Sequence, residues 1–90
     1  MGINEARHLF EKNELAAALG VLNKLIFEDS SDLSLLLLRA RIFYKMQKWG
    51  DAMNDYNSVL EIDTVNLEAK SGLEMARNIL GYFTPDLFNP

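Results

Sequence analysis

An all-α fold of five consecutive helices is what this sequence predicts, and three observations predict it. Apolar residues recur at three- and four-residue spacing through most of its 90 residues, which gathers them on one face of each helix. No stretch alternates apolar and polar residues between hairpin turn signals, as a strand would. The chain also repeats itself at an offset of 34 residues: Ala6-Arg7 falls on Ala40-Arg41, Ala18 on Ala52, Asn23 on Asn57, Asp29 on Asp63 and Leu33 on Leu67. Conservative pairs keep the same offset, Leu9-Phe10 with Phe43-Tyr44, Leu15 with Trp49, Leu22 with Tyr56 and Leu25-Ile26 with Val59-Leu60. A period of this size marks stacked units, none of which can bury its apolar face alone.

Taken in order, the spacing predicts helices over 3–12, 14–27, 33–46, 49–62 and 67–83. In the first two, Ala6, Leu9, Ala18 and Leu22 set out the pattern that the next pair repeats. The third begins after Asp29-Ser30-Ser31-Asp32, which supplies N-cap oxygens. It carries Leu35, Leu36, Leu37 and Leu38 around its whole circumference, as expected of a central helix with neighbours on most sides. In the fourth, Ala52, Tyr56, Val59 and Leu60 share one face, and Asp51, Asn54 and Asp55 are expected on the water side. The fifth follows a second capping segment, Asp63-Thr64-Val65-Asn66. Links this short make neighbouring helices run antiparallel.

Composition narrows the function. A chain of 90 residues, about half apolar, is one small domain with a core but little room for a deep cleft beside it. A net charge of −4 and scattered Lys and Arg argue against nucleic acid, which would need a basic stripe. No apolar stretch approaches the ~20 residues that span a bilayer, so no membrane insertion is expected. There are no cysteines, hence neither a disulfide nor a thiolate site. The compartment is left open, with a cytoplasmic location favoured because neither a signal peptide, a membrane span nor a cysteine is in view.

Helix–turn–helix units with this period resemble tetratricopeptide repeats. The second unit carries the likeness best: Leu36 stands where the family favours Trp, Ala40 and Ala52 at its small-residue positions, Phe43 at its aromatic position, and Tyr56 four residues after Ala52. Leu60-Glu61-Ile62-Asp63 resembles the usual end of the second helix. Small residues at 40 and 52 let paired helices approach until Phe43 and Tyr56 pack. Arg39, where Leu is common, and Ser30 and Thr64, where Pro is common, depart from the pattern. The resemblance covers about 3–83. It implies a right-handed stack of antiparallel helix pairs forming one domain over 1–83, with repeats over about 3–30 and 33–64, a capping helix over about 67–83, and an apolar tail over 84–90.

The resemblance also implies a function: a non-catalytic scaffold for protein–protein interaction, whose first helices line a concave groove. The groove positions are then Ile3, Arg7, Phe10 and Glu11; Leu37, Arg41, Tyr44 and Lys45; and Ser71, Met75 and Asn78. Arg can grip a carboxylate with two bonds while stacking on an aromatic ring. One reading is therefore a groove for a peptide with an apolar anchor and an acidic group. The other is that Arg7 and Arg41 pair with acids of their own chain, such as Glu11 or Glu74, on a solvated surface. The family's clamp for a chaperone's C-terminal carboxylate is not expected, since its positions hold Ile3, Arg7, Leu38, Glu68 and Gly72.

The tail is unusually apolar, with Tyr82, Phe83, Leu87 and Phe88 around Thr84, Pro85 and Asp86. Pro85 ends any helix and biases Thr84 toward an extended backbone. Burying Leu87 and Phe88 would contribute roughly 1.5–3 kcal/mol each. Two placements follow: against the last helix, sealing the stack, or in a groove, its own or a second copy's, with Asp86 near Arg7 or Arg41. The second makes the chain a possible homo-oligomer, a self-assembling unit. His8 stands alone and can build no zinc site without further ligands. No serine has an evident base and no glycine-rich phosphate loop occurs, so neither catalysis, metal nor cofactor is expected. Trp49, at a helix start, is expected to pack between helices.

Overall fold

The computed structural model describes residues 2–83, the side chains of Tyr82 and Phe83 excepted. The tail readings placed on Tyr82, Phe83, Asp86, Leu87 and Phe88 therefore lie outside the described residues. Five helices make up the chain: α1 (Ile3–Glu11), α2 (Leu15–Glu28), α3 (Leu33–Lys45), α4 (Trp49–Ile62) and α5 (Leu67–Phe83). There is no strand among the described residues.

The 34-residue period extends to the backbone of the turns. Asn13 and Gln47, one period apart, are the non-glycine residues with positive φ among the described residues, 62° and 61°. Each ends its helix with the same pair of bonds. Asn13 N–H donates to Phe10 C=O and Glu14 N–H to Leu9 C=O; Gln47 N–H donates to Tyr44 C=O and Lys48 N–H to Phe43 C=O. This is the left-handed C-terminal cap that usually uses glycine, with asparagine the common substitute. Glutamine fits it less well, so the second turn holds its shape against a small local strain.

The other two turns also match. Asp32 Oδ1 accepts from the N–H groups of Ser34 (2.9 Å) and Leu35 (3.3 Å). One period on, Asn66 Oδ1 accepts from Ala69 N–H at 2.9 Å. Both side chains satisfy donors left open at a helix start, which typically stabilises by about 1 kcal/mol. Just upstream, Asp29 and Asp63 each accept from a backbone N–H two residues on, that of Ser31 and that of Val65.

Each helix packs against the next in the chain, and α1 also touches α3, as α3 touches α5. The backbones of α2 and α4 stand further apart, with no pair of Cα atoms within 8 Å. The odd-numbered helices thus lie side by side in one layer and the even-numbered ones in another. Alanines set the spacing between layers: Ala6, Ala18, Ala40 and Ala52 are all 0% exposed. Around them Leu22, Ile42 and Val59 are the largest fully enclosed side chains. Leu35, Leu36 and Leu38 are buried and Leu37 half-buried, as a central helix requires.

One expectation is overturned. Asp55 does not face water; it is 4% exposed. Its carboxylate accepts two bonds from Arg39, from Nε and Nη2, both at 2.8 Å. Arg39 Nη1 also donates to Asn23 Oδ1 at 3.0 Å, and its guanidinium carbon lies 5.8 Å from the Phe43 ring centroid. A periodic pattern reads Asp as solvent-facing because it cannot see the cation across the helix pair. Here the guanidinium supplies the partners that a buried carboxylate needs, and joins α2, α3 and α4. Hydrogen bonding to Asp55 holds the Arg39 guanidinium above its usual pKa against the opposing effect of burial.

Candidate functional site

A cleft opens where α3, α4 and α5 meet. Its volume is about 290 Å³. From α3 come Arg41 and Tyr44, from α4 Tyr56, and from α5 Glu68, Ser71, Gly72 and Met75. Asn66 caps α5 and fixes where its first turn starts, and on that turn Glu68 points back to α3. The Arg41–Glu68 pair spans one rim, with Nε to Oε2 at 2.5 Å and Nη2 to Oε1 at 2.6 Å. Both partners remain solvated, their side chains 46% and 37% exposed.

Tyr56 forms the floor and is 4% exposed. Its ring lies so close to α5 that a Cβ at Gly72 would stand 2.5 Å from Cε2 and 2.7 Å from the hydroxyl oxygen. The missing side chain at Gly72 is therefore what allows α5 to close over Tyr56. Burial raises the Tyr56 hydroxyl above its usual pKa of 10.0; the nearby Glu68 carboxylate adds to this and Arg41 partly offsets it. Tyr44, on the wall, meets the Trp49 ring edge-on, 4.8 Å between centroids. Met75 completes the opposite wall and is 54% exposed.

Of the groove residues expected from sequence, Arg41, Tyr44, Ser71 and Met75 meet in this cleft. Lys45 instead lies over the Phe10 ring, 5.4 Å from its centroid, which ties the ends of α1 and α3. Ile3, Phe10 and Leu37 are half-buried against the core. Arg7 and Asn78 are exposed and stand outside the cleft. Trp49 packs between α3 and α4 as expected, and His8 is exposed. Tyr56, Glu68 and Gly72 had not been read as forming the groove. The available signal was Glu68, 27 residues after Arg41 and so seven short of one period, a spacing meaningful only once the layers are known.

The cleft is just smaller than the roughly 300–1,000 Å³ usual for a small-molecule site, and its walls are mainly aromatic and thioether. Its polar groups are one internally neutralised ion pair and the three hydroxyls of Tyr44, Tyr56 and Ser71. Among the described residues no three His, Cys, Asp or Glu side chains are grouped to hold a metal ion. No helix there is long and apolar enough to cross a membrane. No family model, curated protein or solved structure matches the chain.

Proposed function

We propose that this chain is a tetratricopeptide-like, right-handed stack of two repeats and a capping helix. Its role is a non-catalytic protein–protein interaction scaffold that takes a peptide or protein segment along the α1, α3 and α5 side. The observation that carries this reading is the cleft between Tyr44, Tyr56 and Met75, side-chain-sized and apolar, on the layer where odd-numbered helices touch. Closer backbone approach within that layer than between α2 and α4 favours curvature toward the odd side. Arg41 is already engaged by Glu68, so the favoured segment is recognised first by an apolar anchor rather than by an acidic group. The reading does not include a carboxylate clamp, for which Leu38, which is buried, Gly72, which packs against Tyr56, and the acidic Glu68 are unsuited.

Selection of binders from a random peptide library, followed by calorimetry, tests this. Met75 is exposed, so Met75→Glu leaves the fold intact and is expected to weaken selected peptides at least about tenfold, the ~1.4 kcal/mol of one good apolar contact. Selected peptides that bind the variant equally well would remove the cleft from the reading.

A second reading, self-assembly through another copy of the chain, is favoured by Phe27, Ile62, Val65 and Leu67, which are 91%, 49%, 69% and 78% exposed. They lie at or beside the turns after α2 and α4. A mass that rises with concentration in sedimentation, and falls back with Phe27→Ser and Leu67→Ser, would favour it over the first.

A further inference from the structure

We propose that the end of the stack formed by turns 29–32 and 63–66 docks a basic, amphipathic segment of another protein. None of the residues concerned lines the cleft. This surface is therefore additional to the one proposed above, and its partner is not a second copy of the chain.

Exposed apolar side chains are the first argument. Each helix reverses direction over a link of three or four residues, which places turns 29–32 and 63–66 at one end of the stack and the other two turns at the opposite end. At this end Phe27, Ile62, Val65 and Leu67 carry large side chains into solvent. The fold does not call for apolar residues at three of these positions. One period away, Phe27 is matched by Glu61, Ile62 by Glu28 and Val65 by Ser31, all exposed beside an equivalent turn. A partner that covers these side chains gains burial that the stack itself does not use.

Charge decides the kind of partner. Glu28, Asp29, Glu61 and Asp63 flank the apolar side chains in the chain. The carboxylates of Asp29 and Asp63 accept only from neutral donors, those of Ser31, Val65 and Asn66. Among the described residues the ion pairs are Arg39–Asp55 and Arg41–Glu68, so none of the four acids is neutralised by contact. No Lys or Arg occurs over 25–38 or 49–69, the stretches that build this end; Lys24 and Lys70 stand about one turn away along α2 and α5. Apolar side chains beside uncompensated negative charge complement a segment in which Lys or Arg surrounds apolar anchors, and the field steers its approach. Two copies meeting through this same end would set like charges against each other, which favours a different protein.

The probe is an amphipathic helical peptide built only from Leu and Lys, titrated into the full chain by calorimetry, with a Leu/Glu peptide of equal apolar content as its counterpart. Expected at low salt is binding of the Leu/Lys peptide at least about tenfold tighter than that of the Leu/Glu peptide, weakening as salt is added. The double variant Phe27→Ser, Leu67→Ser, at exposed positions, is expected to lose at least about tenfold in affinity. Glu28→Gln with Glu61→Gln removes two charges and is expected to lose about threefold and to flatten the salt dependence. Met75→Gln, in the cleft, is expected to change nothing. Should the serine variant lose helix content by circular dichroism, the glutamine variant decides. Absence of binding, equal binding to wild type and the folded serine variant, or equal affinity for the Leu/Glu peptide overturns the proposal. A loss caused by Met75→Gln does so as well, since it moves the peptide to the cleft. So does a peptide-free mass that rises with concentration and falls back in the serine variant, which assigns this end to a second copy.

Discussion

Arg39 and Arg41 stand on the same helix, two residues apart, and each grips a carboxylate with a fork of two short bonds. Their surroundings differ. Arg39 holds Asp55 with side-chain exposures of 22% and 5%, whereas Arg41 and Glu68 remain 46% and 37% exposed. Alternation across α3 sends one guanidinium into the layer interface and the other to the cleft rim. Similar geometry therefore has two meanings. The inner fork satisfies a carboxylate that would otherwise be buried without partners, so its loss exposes a desolvation penalty. The outer fork exchanges water for a partner at nearly equal free energy. The first specifies how α2, α3 and α4 fit together; the second adjusts a surface.

Breaking the inner fork is the most severe test of this contrast. Asp55→Ala leaves Arg39 half-buried without its main partner and is expected to cost about 3 kcal/mol in urea unfolding. The double variant Arg39→Leu, Asp55→Ala should recover much of that loss, because no charge is then stranded. Failure to recover would mean that the pair contributes more than its own satisfaction. Next in size is Gly72→Ala beneath the outer fork. The added Cβ meets the Tyr56 ring, which is buried and cannot swing away, so a loss of about 2 kcal/mol is expected. A change in Trp49 fluorescence should accompany it as the wall shifts.

Titration sharpens the comparison further. The Tyr56 pKa is raised in the folded chain above the usual 10.0, so the folded state holds that proton more tightly than the unfolded state does. Its contribution is complete below pH 10 and is lost as pH rises through the folded value. Urea midpoints should therefore fall above pH 10 in wild type, and more steeply than in Tyr56→Phe. The smallest expected effect belongs to the outer fork itself. Glu68→Gln should cost less than about 1 kcal/mol, yet lower the Tyr56 pKa, because the Glu68 charge helps to raise it. That titration is followed by absorbance of the phenolate. A large stability loss from Glu68→Gln would erase the distinction between the two forks.

The sequence carried most of the helix layout because local signals agree with one another. Asp32 and Asn66 start α3 and α5, the alanines fix where helices cross, and α4 and α5 begin and end where the spacing places them. Arg41, Tyr44 and Met75 were legible as neighbours because a period aligns equivalent positions. Asp55 was not, since its burial depends on Arg39, sixteen residues away. Nor was the role of Gly72. A glycine within a helix signals close approach only when the approaching group is known, and Tyr56 belongs to the preceding helix.

The outward side of α5 has its own consequence. Lys70, Glu74 and Arg77 follow one another at helical spacing and are all exposed. A helix laid on that side would have to strip water from three charges with no acid or base of its own to answer them. The apolar core, to which α5 contributes Ala69, Leu73 and Ala76, thus gives way on the outward side of α5 to charged residues. Any element packed there would need charges of its own to pair with these three.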